Sequence, residues 1–212
     1  MCSGRVDLEF MLRAFLNGID GVFIGGCRLN ECNYVTHGNY DALSNVFLFK
    51  KLMEQVGLNP ERLRIEFMSA GEGNILVEVI NDFGKKIEEL GPLGNSEGIA
   101  ADELKLKLDA INKLVPYIKL VERERLRAPH KTEEAYNKFF SSDDVARLFN
   151  ELIGEKLAIS QIMSLLHEKP LPTGEIAEIL GLTPSEVSRH MNTSSRQKLV
   201  RYDESLKCYA LA

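Results

Sequence analysis

The stretch GVFIGGCRLNECNY, residues 21–34, decides how the chain is read. A short apolar run ends in Gly25 and Gly26, and Cys27 and Cys32 follow with four residues between them. The run reads as a short buried strand. The C-x4-C spacing occurs among the ligands of 2Fe-2S clusters. Glycines ahead of such a loop let backbone approach a cluster and offer N–H groups to its sulfurs. A buried cysteine is also a common small hydrophobe, and sulfur-rich tetrahedral sites suit zinc equally. Spacing alone leaves iron-sulfur, zinc and plain packing open.

Either side of this strand the pattern alternates. Leu8, Met11, Leu12, Phe15 and Leu16 fall on one helical face that Gly18 closes. Residues 38–57 read as an amphipathic helix, RLRIEFMSA as a strand, and the stretch from Asn74 to Gly91 as a helix. Strand and helix in alternation predict an α/β unit with parallel strands. Only two strands are clear, so the layer is expected to be partial, with an exposed apolar sheet edge that favours dimerisation or poor solubility. Cys2, ahead of a Ser-Gly turn, is expected at a strand's C-terminal end, beside Cys27 and Cys32. SAGEGN, residues 69–74, reads as a βα turn, and His37, His130 and His167 have no metal-ligand spacing.

Past the Gly-rich joint at 91–98, Leu104, Leu108, Ile111, Val115 and Ile118 recur at spacings 4, 3, 4, 3. This is a helical packing seam, expected to break or kink at Pro116. ERERLRAPHKTEEAYNK reads as a polar linker. Two helices follow, then Thr183, Pro184 and Glu186 as N-cap, first-turn proline and capping-box partner of a third. RYDESLKCYALA alternates like a hairpin. Three helices and a hairpin predict a winged helix-turn-helix. The predicted organisation is thus an α/β unit at 1–95 (a partial parallel sheet with flanking helices), a helical connector at 96–154 and a winged helix-turn-helix at 155–212.

Composition narrows function. Net charge is −5, which argues against general attraction to nucleic acid or anionic lipid. No apolar run approaches the roughly 20 residues of a membrane span, and no signal peptide is visible, so a cytoplasmic location is expected. The four cysteines then favour thiol or metal chemistry over disulfides. No Ser-His-Asp arrangement, P-loop or GxGxxG fingerprint is present. Over 155–212, four Lys and three Arg meet six Glu and one Asp; from 183 onward the balance is +2. That is thin for phosphate contacts. Ser185, Ser188, Arg189, Asn192 and Arg196 are the candidate DNA-reading face, with Val187, Met191 and Leu199 turned inward. His190 is expected to be a surface or packing residue, and Cys208 to be structural.

Several motifs, in order, carry a resemblance: MCSGRVD, the GVFIGGC stretch with its second cysteine and GNY, ERLRIEFMSAGEG, and EVINDFGKKIEELGPL. Together they resemble the delta, or iron-sulfur, subunit family of methyl-viologen-reducing hydrogenases over about residues 1–95. The resemblance implies a 2Fe-2S cluster held by Cys2, Cys27 and Cys32, with Gly25 and Gly26 allowing close approach. It implies an electron-transfer role, without turnover of its own, between a hydrogenase or formate dehydrogenase and the flavin subunit of a heterodisulfide reductase. Some relatives carry a C-terminal extension that resembles the winged helix here. Two departures stand out. The family reads His-Pro-Gly-Asp where this chain has Arg28-Leu29-Asn30-Glu31, and His where it has Asn33. The family also has an upstream strand and a Cys-rich loop resembling CCNWC, which leaves three thiolates here for a site that needs four. A start at an internal Met, a second chain that completes the site, or a lost cluster would each explain this; the late start is the expectation, since in some relatives the missing loop holds a selenocysteine whose codon reads as a stop. A redox- or metal-responsive DNA-binding regulator and a cofactor-free scaffold are the alternative functions.

Overall fold

The computed structural model describes residues 2–34 and 37–212; Met1 of the MCSGRVD motif lies outside them. Cys2 caps a single 3-10 turn, Ser3–Arg5. Helix α1 (Leu8–Leu16) starts where the Asp7 carboxylate accepts the Glu9 N–H at 3.0 Å. Leu8, Met11, Leu12 and Phe15 are its buried face, and Gly18 ends it at φ 76°. Strand β1 (Val22–Gly26) pairs in parallel with β2 (Leu63–Phe67), Ile24 opposite Ile65. Helix α2 (Asn39–Gln55) makes the crossover between them, and α3 (Gly73–Leu90) follows β2. Phe83 of α3 packs on Phe23 of β1, with ring centroids 5.8 Å apart. Leu76, Val77 and Ile80 of the same helix remain exposed.

Arg62 locks this unit. Its guanidinium is fully buried and bonds the carbonyls of Asp20, Leu90, Gly91 and Pro92, the Ser96 hydroxyl and both oxygens of Glu97. A planar fork of donors suits this ring of acceptors, and the carbonyls at the end of α3 add the negative end of a helix dipole. One residue thereby ties the loop before β1, the start of β2 and the joint after α3.

Helix α4 (Ala101–Arg125) corrects one half of an expectation, the break at Pro116. It runs unbroken through Pro116. Pro116 removes one intrahelical bond, but the seam Leu104, Leu108, Ile111, Val115 and Ile118 is buried on both sides of it, so packing holds the helix together. A second correction concerns residues 122–138. Instead of a linker, they include a buried Leu126 and lead into α5 (Glu133–Phe140), which is capped by Thr132. Tyr136 and Phe140 are buried against α2, with Tyr136 on Tyr40 and Phe140 on Phe47. Their i, i+4 spacing was hidden among charged residues that face water. Helix α6 (Asp143–Phe149) and a π-helical segment, Asn150–Gly154, lead on. One hydrophobic cluster runs from Leu8 of α1 to Leu157.

A second cluster belongs to α7 (Glu155–Glu168), α8 (Thr173–Leu180), α9 (Pro184–Arg196) and the hairpin of β3 (Val200–Asp203) and β4 (Cys208–Leu211). The capping box of Thr183 and Glu186 is formed. Leu171 bridges to Tyr209 and widens the wing. This is the layout of a winged helix. Val187 and Met191 are buried as expected, but Leu199 is 45% exposed, because the chain turns at Lys198 with φ 58° and swings it outward. His190 and Cys208 are buried packing residues.

Candidate functional site

Two thiols meet where the first loops of the chain come together, with a third nearby. Cys2 heads the 3-10 turn Ser3–Arg5. It reaches Cys32. Its sulfur lies 3.9 Å from that of Cys32, thirty residues away. Cys27 follows β1 directly, and its thiol lies within electrostatic reach of Cys32 and Cys2.

Two glycines allow this approach, and neither was singled out from the sequence. A Cβ on Gly38 would stand 2.5 Å from Cys32 Sγ and 2.4 Å from the Tyr34 carbonyl oxygen. A Cβ on Gly4 would stand 2.6 Å from the Gly38 carbonyl oxygen. The two backbones are therefore stacked without side chains, which brings the Cys2 turn onto the Cys32 loop. Gly25 and Gly26 lead directly into Cys27. Gly26 makes room for the Phe67 ring and the Ser3 hydroxyl, while a Cβ on Gly25 would meet the Phe23 ring at an ordinary 3.8 Å. The hydrogen bonds to sulfur come from elsewhere: Gly4 N–H donates to Cys2 Sγ at 3.4 Å, and the side chain of Asn39 to Cys27 Sγ at 3.7 Å. Asn39, fully buried at the start of α2, also holds the carbonyls of Cys27 and Arg28 at 2.8 Å each. Its place in GNY, the first turn of a helix beside a cysteine loop, was the signal available in the sequence.

The Arg28–Glu31 loop is fastened residue by residue. Arg28 pairs with Glu72, Leu29 packs on the core, Asn30 takes φ 69° and accepts from the Tyr40 hydroxyl at 3.0 Å, and Glu31 accepts from Ser69 at 3.0 Å. SAGEGN is a βα turn, and Glu72 within it also accepts the Ser69 N–H at 2.7 Å. That N–H, then Arg28, holds the Glu72 carboxyl below its usual range.

The thiols are electrostatically unequal. The N–H groups of Tyr34 and Asn39 lower the Cys32 pKa against the effect of desolvation. Desolvation, then the neighbouring Cys32 and Cys2 sulfurs, raises that of Cys27. Because the thiolate is the nucleophile, limited alkylation of the metal-free chain near neutral pH is expected to label Cys32 several-fold ahead of Cys27. Mass spectrometry of tryptic peptides checks this; equal rates, or Cys27 first, would contradict it.

The residues fit a metal-sulfur group in part. Two thiolates on one tetrahedral metal, at bonds of about 2.3 Å, stand about 3.8 Å apart, close to the Cys2–Cys32 separation of 3.9 Å. The Ser3 hydroxyl beside them is buried with no partner among the described residues. A hollow of about 200 Å³ lined by Cys32, Tyr34, Gly38 and Asn39 adjoins the pair. Yet a 2Fe-2S cluster takes four protein ligands, and among the described residues no group of three Cys, His, Asp or Glu is in metal-holding geometry.

On the winged helix, Ser185, Arg189, Asn192 and Arg196 are exposed on α9, and Ser188 is half-buried, its hydroxyl donating to the Pro184 carbonyl at 2.8 Å. Arg189 is paired with Glu155 of α7 at 2.5 Å. No helix among the described residues is long and apolar enough to cross a membrane.

A small α/β unit with thiols at its loop tips, on one chain with a winged helix, is the class of protein that this fold and site define. Residues 1–91 match the family described as methyl-viologen-reducing hydrogenase, delta subunit, and the chain belongs to that family. Residues 160–193 match the family described as bacterial regulatory protein, arsR family. Over 95 residues the chain is 46% identical to the A polypeptide of the ferredoxin/F420H2-dependent CoB-CoM heterodisulfide reductase of Methanosarcina acetivorans, covering 45% of this chain and 12% of that protein. Over 91 residues it is 47% identical to the iron-sulfur D polypeptide of the F420-non-reducing hydrogenase of Archaeoglobus profundus, covering 43% of this chain and 66% of the relative. With the corresponding vhu iron-sulfur polypeptide of Methanopyrus kandleri it shares 39% over 92 residues, 43% of this chain and 69% of the relative. The chain thus spans about two thirds of the hydrogenase relatives and a small part of the heterodisulfide reductase one.

Proposed function

We propose that this chain is a non-catalytic electron-transfer subunit linking a hydrogenase, or a formate dehydrogenase in its place, to a heterodisulfide-reductase-type flavoprotein. The observation that carries the reading is the 3.9 Å approach of Cys2 and Cys32 across thirty residues. A 2Fe-2S cluster, when bound, supplies a one-electron carrier. Cys2, Cys27 and Cys32 would hold it, with a fourth ligand from outside the described residues. Gly4 N–H and Asn39 would donate to ligating sulfur, and the Ser3 hydroxyl would find its partner there; such donors tune potential. The Arg28–Glu72 and Glu31–Ser69 contacts fix the loop, so little rearrangement accompanies a change of charge. Relatives named for two partner systems, a hydrogenase and a heterodisulfide reductase, support the linkage.

The test is iron and acid-labile sulfide on protein purified anaerobically, with the visible spectrum. Iron and sulfide in equal amounts, abolished by Cys32→Ser, are expected; protein with neither, after reconstitution as well, overturns the reading.

The match of residues 160–193 to a regulator family supports a second reading, a DNA-binding regulator that senses redox state or metal through the same thiols. The balanced charge of the winged helix weighs against it. Affinity for duplex DNA that falls steeply with salt would favour it; no binding at low salt removes it.

A further inference from the structure

Strand β2 leaves one edge open. Its register with β1, together with the bond from Met68 N–H to the Gly26 carbonyl at 2.9 Å, turns the backbone groups of Arg64 and Glu66 toward β1. Those of Leu63, Ile65 and Phe67 therefore point the other way. Leu63 N–H is bound to the Pro60 carbonyl. The N–H and C=O groups of Ile65 and Phe67 have no backbone partner among the described residues. Beside this edge lies a cleft of about 600 Å³ walled by α2, α3 and α5.

Edge strands commonly carry charge to deter pairing. Here the charges have an order that does the opposite. Leu63-Arg64-Ile65-Glu66-Phe67 reads as its own complement when a second copy runs antiparallel about Ile65. Ile65 then faces Ile65 as a hydrogen-bonded pair, using the outward N–H and C=O groups. Arg64 faces Glu66 at the close, non-hydrogen-bonded positions, twice, on one face of the sheet. Leu63 faces Phe67 on the other. In the single chain Arg64 already holds Glu66 at 2.8 Å and Asp82 at 2.5 Å, so both charges sit along this edge. β1 has no charged residue and offers no such code.

We propose that two copies of this chain associate through β2, giving a four-stranded sheet β1-β2-β2-β1 about a two-fold axis. Such an interface is isologous, each residue meeting its counterpart by symmetry.

Sedimentation equilibrium of the full chain at micromolar concentration tests this. The wild type is expected to be a dimer. Ile65→Pro removes an outward donor without touching the β1 ladder and should give a monomer with an unchanged far-UV spectrum. Glu66→Arg sets Arg64 against arginine and should weaken association at least tenfold, and adding Arg64→Glu should restore it. If Ile65→Pro misfolds, the charge pair decides alone. A monomeric wild type, or a dimer indifferent to Glu66→Arg, overturns the proposal; the first result would leave the edge to another strand or to none.

Discussion

Replacing Arg62 with methionine is expected to destabilise the chain by about 3–5 kcal/mol, the cost of leaving a buried charge without its partner. Glu97 is that partner, with a side chain only 4% exposed. Four backbone carbonyls lose their donor as well. Against a typical total of about 5–15 kcal/mol, this is enough to unfold much of the population on warming. Arg62→Lys keeps the charge and loses the fork, so an intermediate cost is expected. Chemical denaturation followed by circular dichroism measures both; a loss under about 1 kcal/mol for the methionine variant would show that the buried network is dispensable.

The same pair sets an acid limit. Burial alone would raise the Glu97 pKa, but Arg62, the Asn59 N–H and the Ser96 hydroxyl overcome it and hold it at about 2. A depressed carboxyl stabilises the folded state fully above its unfolded pKa, near about 4.3. The contribution, about 3 kcal/mol, fades as pH falls from there through about 2. In Glu97→Gln that part of the acid sensitivity should disappear.

Gly38→Ala is expected to dismantle the thiol cluster while sparing the fold. The added methyl would overlap both Cys32 Sγ and the Tyr34 backbone oxygen, at 2.5 and 2.4 Å. The Cys32 loop must move, and Cys2 rests against its sulfur. If the thiols hold a metal-sulfur group, its affinity should fall about 10–100-fold, as for other changes just outside a ligand set. A second readout needs no metal: oxidative coupling of Cys2 to Cys32 in the apo chain should slow by at least about tenfold, or about 1.4 kcal/mol. Gly4→Ala should act alike, since its methyl would meet the Gly38 carbonyl. Wild-type coupling rates in both variants would mean that the two loops are free to approach by another route.

Much of this was legible in the sequence because it rests on local rules. The helices of residues 8–16 and 39–55 follow from apolar spacing and glycine stops, and the winged helix from Thr183, Glu186 and an alternating hairpin. What escaped depends on long-range company. Tyr136 and Phe140 look like punctuation in a charged stretch until α2 supplies Tyr40 and Phe47. Pro116 looks like a break until flanking layers outweigh one lost bond. The three cysteines were visible as candidates, as were Gly25 and Gly26 just ahead of Cys27. The residues that bring the loops together, Gly4 and Gly38, were read only as parts of motifs, because contact between backbones thirty-four residues apart leaves no periodic trace. Arg62 was passed over for a related reason: a lone arginine before a strand gives no sign of the carbonyls that will surround it.

Helix α4 is the beam of the molecule. Its Lys119 grips Asp7 and Glu9 at 2.8 and 2.7 Å, next to the turn that carries Cys2, while Lys113 reaches Ser164 of α7 at 2.9 Å. Twenty-five residues of helix span roughly 37 Å. The two grips stand six residues apart, about 9 Å along the axis, so a single short segment of α4 touches both the sulfur-bearing end and the wing.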